Sequence, residues 1–387
     1  MVDTMADENV ITLEPFIHQV GGRSSILVFG QTICKPINSR ELTFYETLPP
    51  QLKPFVPEFR GISEVYLTES SDGYLTITAK QPNNCPEEDK SQQKNKFRIK
   101  LCKPSGDLLI ESNGVTDHDL PHIECNHCFE NVNHYIEKEV TNKCETKIHN
   151  PWILRTMSAF KETEKINRRK FLLLENLTYN YKFPCVMDIK MGVRQYDDFA
   201  NESKILSHTI KVSKTTSGSL GLRITGVQVY NKSSDRFICH NKYYGRTLTT
   251  EGFLKTMKTF LQMDSQSKVI LIGLMIEKLE KLLAVIENLN YFRFYTTSLL
   301  IIYEGSFDRN NCQNNTNLVD IRIIDFAHTV YQSNTNLDTN LDNNLDANHT
   351  DNNGPDQGFI FGLINLIQLL KDIQSEPNND SHSVNSD

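Results

Sequence analysis

No stretch of the 387 residues stays apolar long enough to cross a bilayer; the most apolar run, Val269 to Ile276, falls far short of the ~20 residues a spanning helix needs. A basic-then-apolar leader is also missing at the N-terminus, so a soluble cytoplasmic or nuclear protein is expected. Excess positive charge is lacking too, because 41 Lys and Arg face 48 Asp and Glu for a formal net charge of -7. That balance excludes a chain that coats nucleic acid or an anionic membrane through its overall field, and any anionic ligand must be held by local clusters of cations. The nine cysteines are odd in number and scattered, which reads as reduced thiols and not as a disulfide framework. A monomer with small soluble partners, no nucleic acid and no membrane, is the expectation.

The length permits two domains or two lobes of one catalytic unit. A mean hydropathy of -0.43 and Asn-rich stretches assign part of that length to solvated loop. Ser25 to Pro36 alternates around Gly30-Gln31 and predicts a strand, a turn and a second strand ending near Lys35. Asn38 and Glu41 have capping-box spacing, so a helix follows until Pro49-Pro50. Ile62 to Leu67 and Tyr74 to Thr78 predict further strands, and Phe171 to Leu174 another. Residues 1–174 then form a sheet-rich unit with a polar insertion near 81–95. Residues 175–177 form a linker, and 178–373 form a larger mixed unit interrupted by an Asn-rich insertion at 331–353. A last helix spans Phe359 to Ile373, and 374–387 is a polar tail expected to be disordered.

The densest chemical signal is Pro184-Cys185-Val186-Met187-Asp188-Ile189-Lys190-Met191-Gly192. On a strand, alternation puts the Asp188 carboxylate and the Lys190 ammonium on one face, and Gly192 lets the backbone turn close to a ligand. An isolated pair of this kind is otherwise read as an edge-strand ion pair. After it, Asp197-Asp198 offers an acidic start to a helix on which Lys204, His208 and Lys211 share one face. The buried-strand pattern Val319 to Ile324 delivers Asp325 to its end.

The Pro-x-x-x-Asp-x-Lys-x-Gly motif resembles the signature of the inositol polyphosphate kinase family. Leu13-Glu14-Pro15-Phe16, His18-Gln19-Val20-Gly21-Gly22, Cys34-Lys35-Pro36, Lys242-Tyr243-Tyr244-Gly245-Arg246, Ile324-Asp325-Phe326-Ala327-His328 and Gly354-Pro355-Asp356 extend the resemblance over most of the chain. They point to the hexakisphosphate kinase branch; the family commonly has His where Arg23 stands. The resemblance implies an α+β, protein-kinase-like two-lobed fold with ATP in the cleft, and an enzyme using ATP and Mg2+ to phosphorylate a phosphate of inositol hexakisphosphate. Multikinase or trisphosphate kinase chemistry on ring hydroxyls stays open as an alternative, as does a non-catalytic scaffold that binds inositol phosphates.

It also implies roles. Lys35, oriented by Glu41, reaches the ATP phosphates, and Glu175 and Leu177 hold adenine through main-chain groups. Asp325 holds Mg2+, and Asp188 binds nucleotide or supports the metal; with Lys190 these form the catalytic set. Lys190, Lys204, His208 and Lys211 bind the inositol phosphate, with Lys214, Arg223, Lys242, Arg246 and His328 as weaker candidates. Outside the family pattern, Cys125, Cys128, Cys144 and His149 have spacing that permits a Zn2+ site, against an accidental cluster.

Overall fold

The computed structural model describes residues 10–22, 26–71, 74–80, 97–102, 107–112, 168–307, 318–331 and 354–376. Arg23 and the Cys/His-rich segment 122–149 lie outside them, as do the insertion near 81–95, most of 331–353 and the end of the tail.

Every pairing in the two main sheets is antiparallel. The first half supplies β1 (Val10–Thr12), β2 (Glu14–Pro15), β3 (Leu27–Phe29), β4 (Thr32–Pro36), helix α1 (Ser39–Glu46), β5 (Phe59–Glu69), β6 (Tyr74–Lys80), β7 (Phe97–Cys102), β8 (Asp107–Ser112) and β9 (Arg168–Glu175). They form a sheet in the order β2-β3-β4-β9-β5-β6-β7-β8, with β1 also on β6. Leu27, Cys34, Val65, Ile77, Ala79, Phe171 and Leu173 alternate inward along these strands and make its core. Asn38 caps α1 by accepting hydrogen bonds from the Arg40 and Glu41 amides, as its spacing predicts.

The chain crosses to the second half through residues 176–183. There β12-β11-β10-β14-β15 make a five-stranded sheet from β10 (Pro184–Met191), β11 (Leu222–Asn231), β12 (Arg236–Asn241), β14 (Ser298–Glu304) and β15 (Val319–Ile324). Around it lie α2 (Glu202–Ser213), α3 (Thr216–Leu220), α4 (Lys242–Thr247), α5 (Thr250–Phe260), α6 (Ser265–Glu287) and α7 (Gln357–Ser375). Phe253, Leu279, Leu282, Leu363 and Leu366 pack the helices into the largest core. Asp356 caps α7 and ties it back by accepting from the Phe294 amide at 2.8 Å.

Three boundaries differ from the sequence reading. The helix after the signature starts at Glu202 with Asn201 as cap, not at Asp197-Asp198, because the buried Asp197 carboxylate is drawn into an ion pair with Arg40. The last helix runs on through Ser375, past the expected tail boundary at 374. Val330–Tyr331 forms a strand, β16, on β13 (Phe292–Arg293), so position 331 belongs to the fold and not to the Asn-rich insertion.

α1 spans the two halves. Phe44 stacks on Phe326 with centroids 3.8 Å apart, and Tyr45 meets the same ring edge-on at 5.6 Å. Phe326 follows Asp325 and is fully buried, so aromatic packing fixes the end of β15 against the first sheet's helix.

Candidate active site between the two sheets

Lys35 on β4 reaches across this junction. Its Nζ donates to Glu41 Oε1 at 2.8 Å and to Asp325 Oδ1 at 2.6 Å. Burial alone would lower the lysine pKa; the two carboxylates outweigh it and raise it well above the ordinary value, so Lys35 is a fixed cation. For Asp325, burial pushes the carboxyl up, but Lys35, then Lys190 and His328, hold it below the usual range. Asp325 has a φ of 68°, a left-handed conformation that costs a non-glycine residue of order 1–3 kcal/mol and persists only where its surroundings enforce it. Enforcement comes from the Phe326 ring packing and from Glu41 Oε1, which also accepts from the Phe326 amide at 3.3 Å.

Asp188 on β10 is buried close to Asp325. A β-bulge at Thr225 opposite it turns that hydroxyl to donate to Asp188 Oδ1 at 2.6 Å. Its other oxygen lies under the glycine turn: a Cβ built on Gly21 would fall 2.1 Å from Asp188 Oδ2. A Cβ on Gly226 would fall 2.0 Å from the Val20 carbonyl oxygen. Only glycine at these positions lets the Val20–Gly21 segment sit on the second sheet. Burial, then the Asp325 charge, raises the Asp188 carboxyl above its usual value, against hydrogen bonds from Thr225 and Ser298 and the Lys190 charge.

Behind the glycine turn, Val20, Leu177, Val186 and Ile302 form a small apolar cluster joining both halves. Val186 and Ile302 are cross-strand partners, and Leu177 lies two residues past the end of β9. The Glu175 carboxylate is engaged elsewhere, accepting from the Glu58 amide at 3.1 Å and Arg322 at 3.3 Å. The Glu175 amide donates to the Glu58 carbonyl oxygen at 2.9 Å, so the Leu177 side chain is what this segment adds to the patch.

On the far side of Asp188 the charge changes sign. Lys190 on β10 and Arg223 on β11 are direct cross-strand neighbours, a like-charge pairing that destabilises a sheet unless an anion offsets it. Lys190 Nζ donates to the Thr296 carbonyl oxygen at 2.8 Å, presented by a left-handed Thr296, while Arg223 donates to the Thr215 and Ser217 hydroxyls. Neither cation has a carboxylate partner within ion-pair distance among the described residues. Burial, with Arg223 and Lys211 adding to it, lowers Lys190 to about 8, against Asp325 and Asp188; burial and Arg246 lower Arg223 to about 10.

The remaining predicted residues divide. Lys211 and Lys204 on α2 act on the Lys190 and His208 neighbourhood, and Lys214 is the exposed C-cap of the helix. Gly245 packs α4 so tightly onto β11, with a built Cβ 1.8 Å from the Ile224 carbonyl, that Arg246 is brought beside Arg223. Lys242 and Arg246 both lie over the Tyr243 ring. His208 does not add a cation: burial and the neighbouring lysines lower it to about 4, so it is neutral near pH 7. His328 Nδ1 is bonded to Asp197 at 2.6 Å. Sequence reasoning missed Thr225, Thr296 and Arg40; a bulge, a left-handed turn and a long-range ion pair leave no local pattern.

The donor set fits a hard cation. Asp325 and Asp188 supply carboxylate oxygens close enough to repel each other, and no three His, Cys, Asp or Glu side chains converge among the described residues. Mg2+ suits such a site because it takes one or two carboxylates and completes its shell with water and phosphate.

A lysine held by a helix glutamate, facing an aspartate at the end of a strand in the opposite half, defines a protein-kinase-like, two-lobed α+β fold. The inositol polyphosphate kinase family profile matches residues 171–371, which include the Asp188–Lys190 strand and Asp325. The chain is 33% identical to inositol hexakisphosphate kinase 1 of Rattus norvegicus, covering 96% of this chain and 95% of that protein. It is 36% identical to inositol hexakisphosphate kinase 3 of Mus musculus over 94% of this chain and 96% of that protein. Among solved structures, the inositol phosphate multikinase Ipk2 from S. cerevisiae, in complex with ADP and Mn2+, is 24% identical with a TM-score of 0.43, covering 53% of this chain and 84% of that one. The chain belongs to the inositol polyphosphate kinase family.

Proposed function

We propose that the protein is an ATP-dependent inositol hexakisphosphate kinase that moves the γ-phosphoryl group of ATP onto a phosphate of the acceptor, giving a diphosphoinositol pentakisphosphate. One observation carries the reading: Lys35 and Asp325, from opposite lobes, meet 2.6 Å apart, and beside them Lys190 and the buried Arg223 pair across strands with no carboxylate partner within ion-pair distance among the described residues. One side of the cleft is built for a nucleotide phosphate, the other for a second polyanion.

In this reading adenine lies on Val20, Leu177, Val186 and Ile302, with main-chain groups at 175–177 on its edge. Lys35 holds the α- and β-phosphates. Mg2+ held by Asp325, with Asp188 in support, would neutralise charge on the transferring phosphoryl group. Lys190, Arg223, Arg246, Lys211 and Lys204 hold the acceptor and offset the repulsion between two polyanions. A phosphate monoester has its second pKa near ~6, so the acceptor is already an anionic nucleophile and needs no strong base. Asp188, hydrogen-bonded and buried, then serves orientation and charge.

The kinase names of the full-length relatives support the acceptor assigned here. Incubation of purified protein with MgATP and inositol hexakisphosphate, with products resolved by anion-exchange chromatography, tests it. A species eluting later than the acceptor, formed only with ATP, is expected; conversion confined to lower inositol phosphates would refute the assignment.

A further inference from the structure

Asp197 sits in the connection between β10 and α2, and its side chain is 3% exposed. One of its oxygens, Oδ2, receives hydrogen bonds from Arg40 Nη1 and from His328 Nδ1, each at 2.6 Å. The other, Oδ1, accepts from the Phe199 amide at 3.2 Å. Arg40 is further pinned by the Phe199 ring, 4.8 Å from its guanidinium carbon. Burial pushes the Asp197 carboxyl up, but His328, Arg40 and Lys204 pull it below its ordinary value, so it is a carboxylate.

Arg40 precedes Glu41 on α1. Glu41 bonds the Phe326 amide, and Arg40, through Asp197, holds His328. Two consecutive helix residues thus grip the chain one residue and three residues after Asp325. The second grip also ties down the connection that carries the acceptor wall into α2.

We infer that Asp197 is a positioning residue for phosphoryl transfer: by joining Arg40 to His328 it locks the Asp325 loop against α1 and sets the geometry in which Asp325 faces Lys35. The inference rests on the kinase reading above. Its carboxylate bonds Arg40, His328 and Phe199 and not Lys35 or Lys190, so it acts through the loop.

The test compares wild type, Asp197→Asn, Arg40→Met and Arg40→Lys by steady-state kinetics and by calorimetric binding of ADP with and without Mg2+. The expected result for Asp197→Asn and Arg40→Met is a kcat lower by about tenfold or more with both KM values within about threefold, the signature of a contact used in the transition state. Metal-free ADP should bind them as it binds wild type, while the gain in affinity from Mg2+ shrinks. Arg40→Lys should restore most of kcat, and Arg40→Met should cost nothing further in an Asp197→Asn background. Wild-type kcat and wild-type Mg2+ gain in folded variants would overturn the inference. So would a loss of thermal stability that lowers kcat and both affinities together. Arg40 is half exposed, so its variants decide the matter even where Asp197→Asn does not fold. Absence of wild-type turnover would count against the proposed function alone, and the calorimetric comparison would still decide the role of Asp197.

Discussion

Lys35 Nζ lies 2.6 Å from Asp325 Oδ1 although 290 positions separate the two in the chain. The contact closes one lobe on the other and places a permanent cation beside a carboxylate held in a strained backbone conformation. Such strain is retained where it serves a site.

Replacing Asp325 with Asn tests that carboxylate cleanly, because Asn tolerates a positive φ and Lys35 keeps Glu41. Turnover should fall by at least about 10²-fold, the scale of losing one charge-stabilising group in a transition state. Circular dichroism and Tm should remain close to wild type.

Gly21→Ala pushes a methyl group to within 2.1 Å of Asp188 Oδ2. Either the glycine turn lifts or the carboxylate rotates away from Thr225. The KM for ATP should rise about tenfold, equivalent to ~1.4 kcal/mol, with the acceptor KM changed less; inhibition kinetics with ADP checks this.

Arg223→Met and Lys190→Met should each raise the acceptor KM by about ten- to a hundredfold, consistent with ~1.5–3 kcal/mol for a hydrogen bond to a charged group. His208→Gln should change it less than threefold, because His208 is neutral near pH 7. Equal effects from His208 and Lys190 would contradict the charge assignment.

The Lys190 ammonium of the free protein is lost as pH rises through about 8. Acceptor affinity should therefore be level between that pH and the second ionisation of the acceptor phosphates at ~6, and weaken above it. A bound polyanion favours the charged form, so the break in kcat should lie at higher pH than the break in kcat/KM. A pH series of both parameters checks the order.

Local pattern carried much of this architecture. Alternation around Gly30-Gln31 predicted β3 and β4, the Asn38 cap predicted α1, and the apolar run before Asp325 predicted β15 with its boundaries. These follow from neighbours in sequence. Asp197 misled because an acidic pair before a polar-apolar repeat reads as a helix start, whereas its charge is used by Arg40, 157 positions away. The cationic pocket was legible as a set of residue types, but the pairing of Lys190 with Arg223 depends on strand order β11-β10, which no local spacing encodes. His208 looked like a cation until burial was known.

In the proposed reaction the phosphoryl group moves to a phosphate, not to a ring hydroxyl. Phosphorus NMR of the product formed from inositol hexakisphosphate and MgATP reports this directly. A mutually coupled pair of diphosphate resonances is predicted; a product, from any inositol phosphate, that shows monoester resonances alone would contradict it.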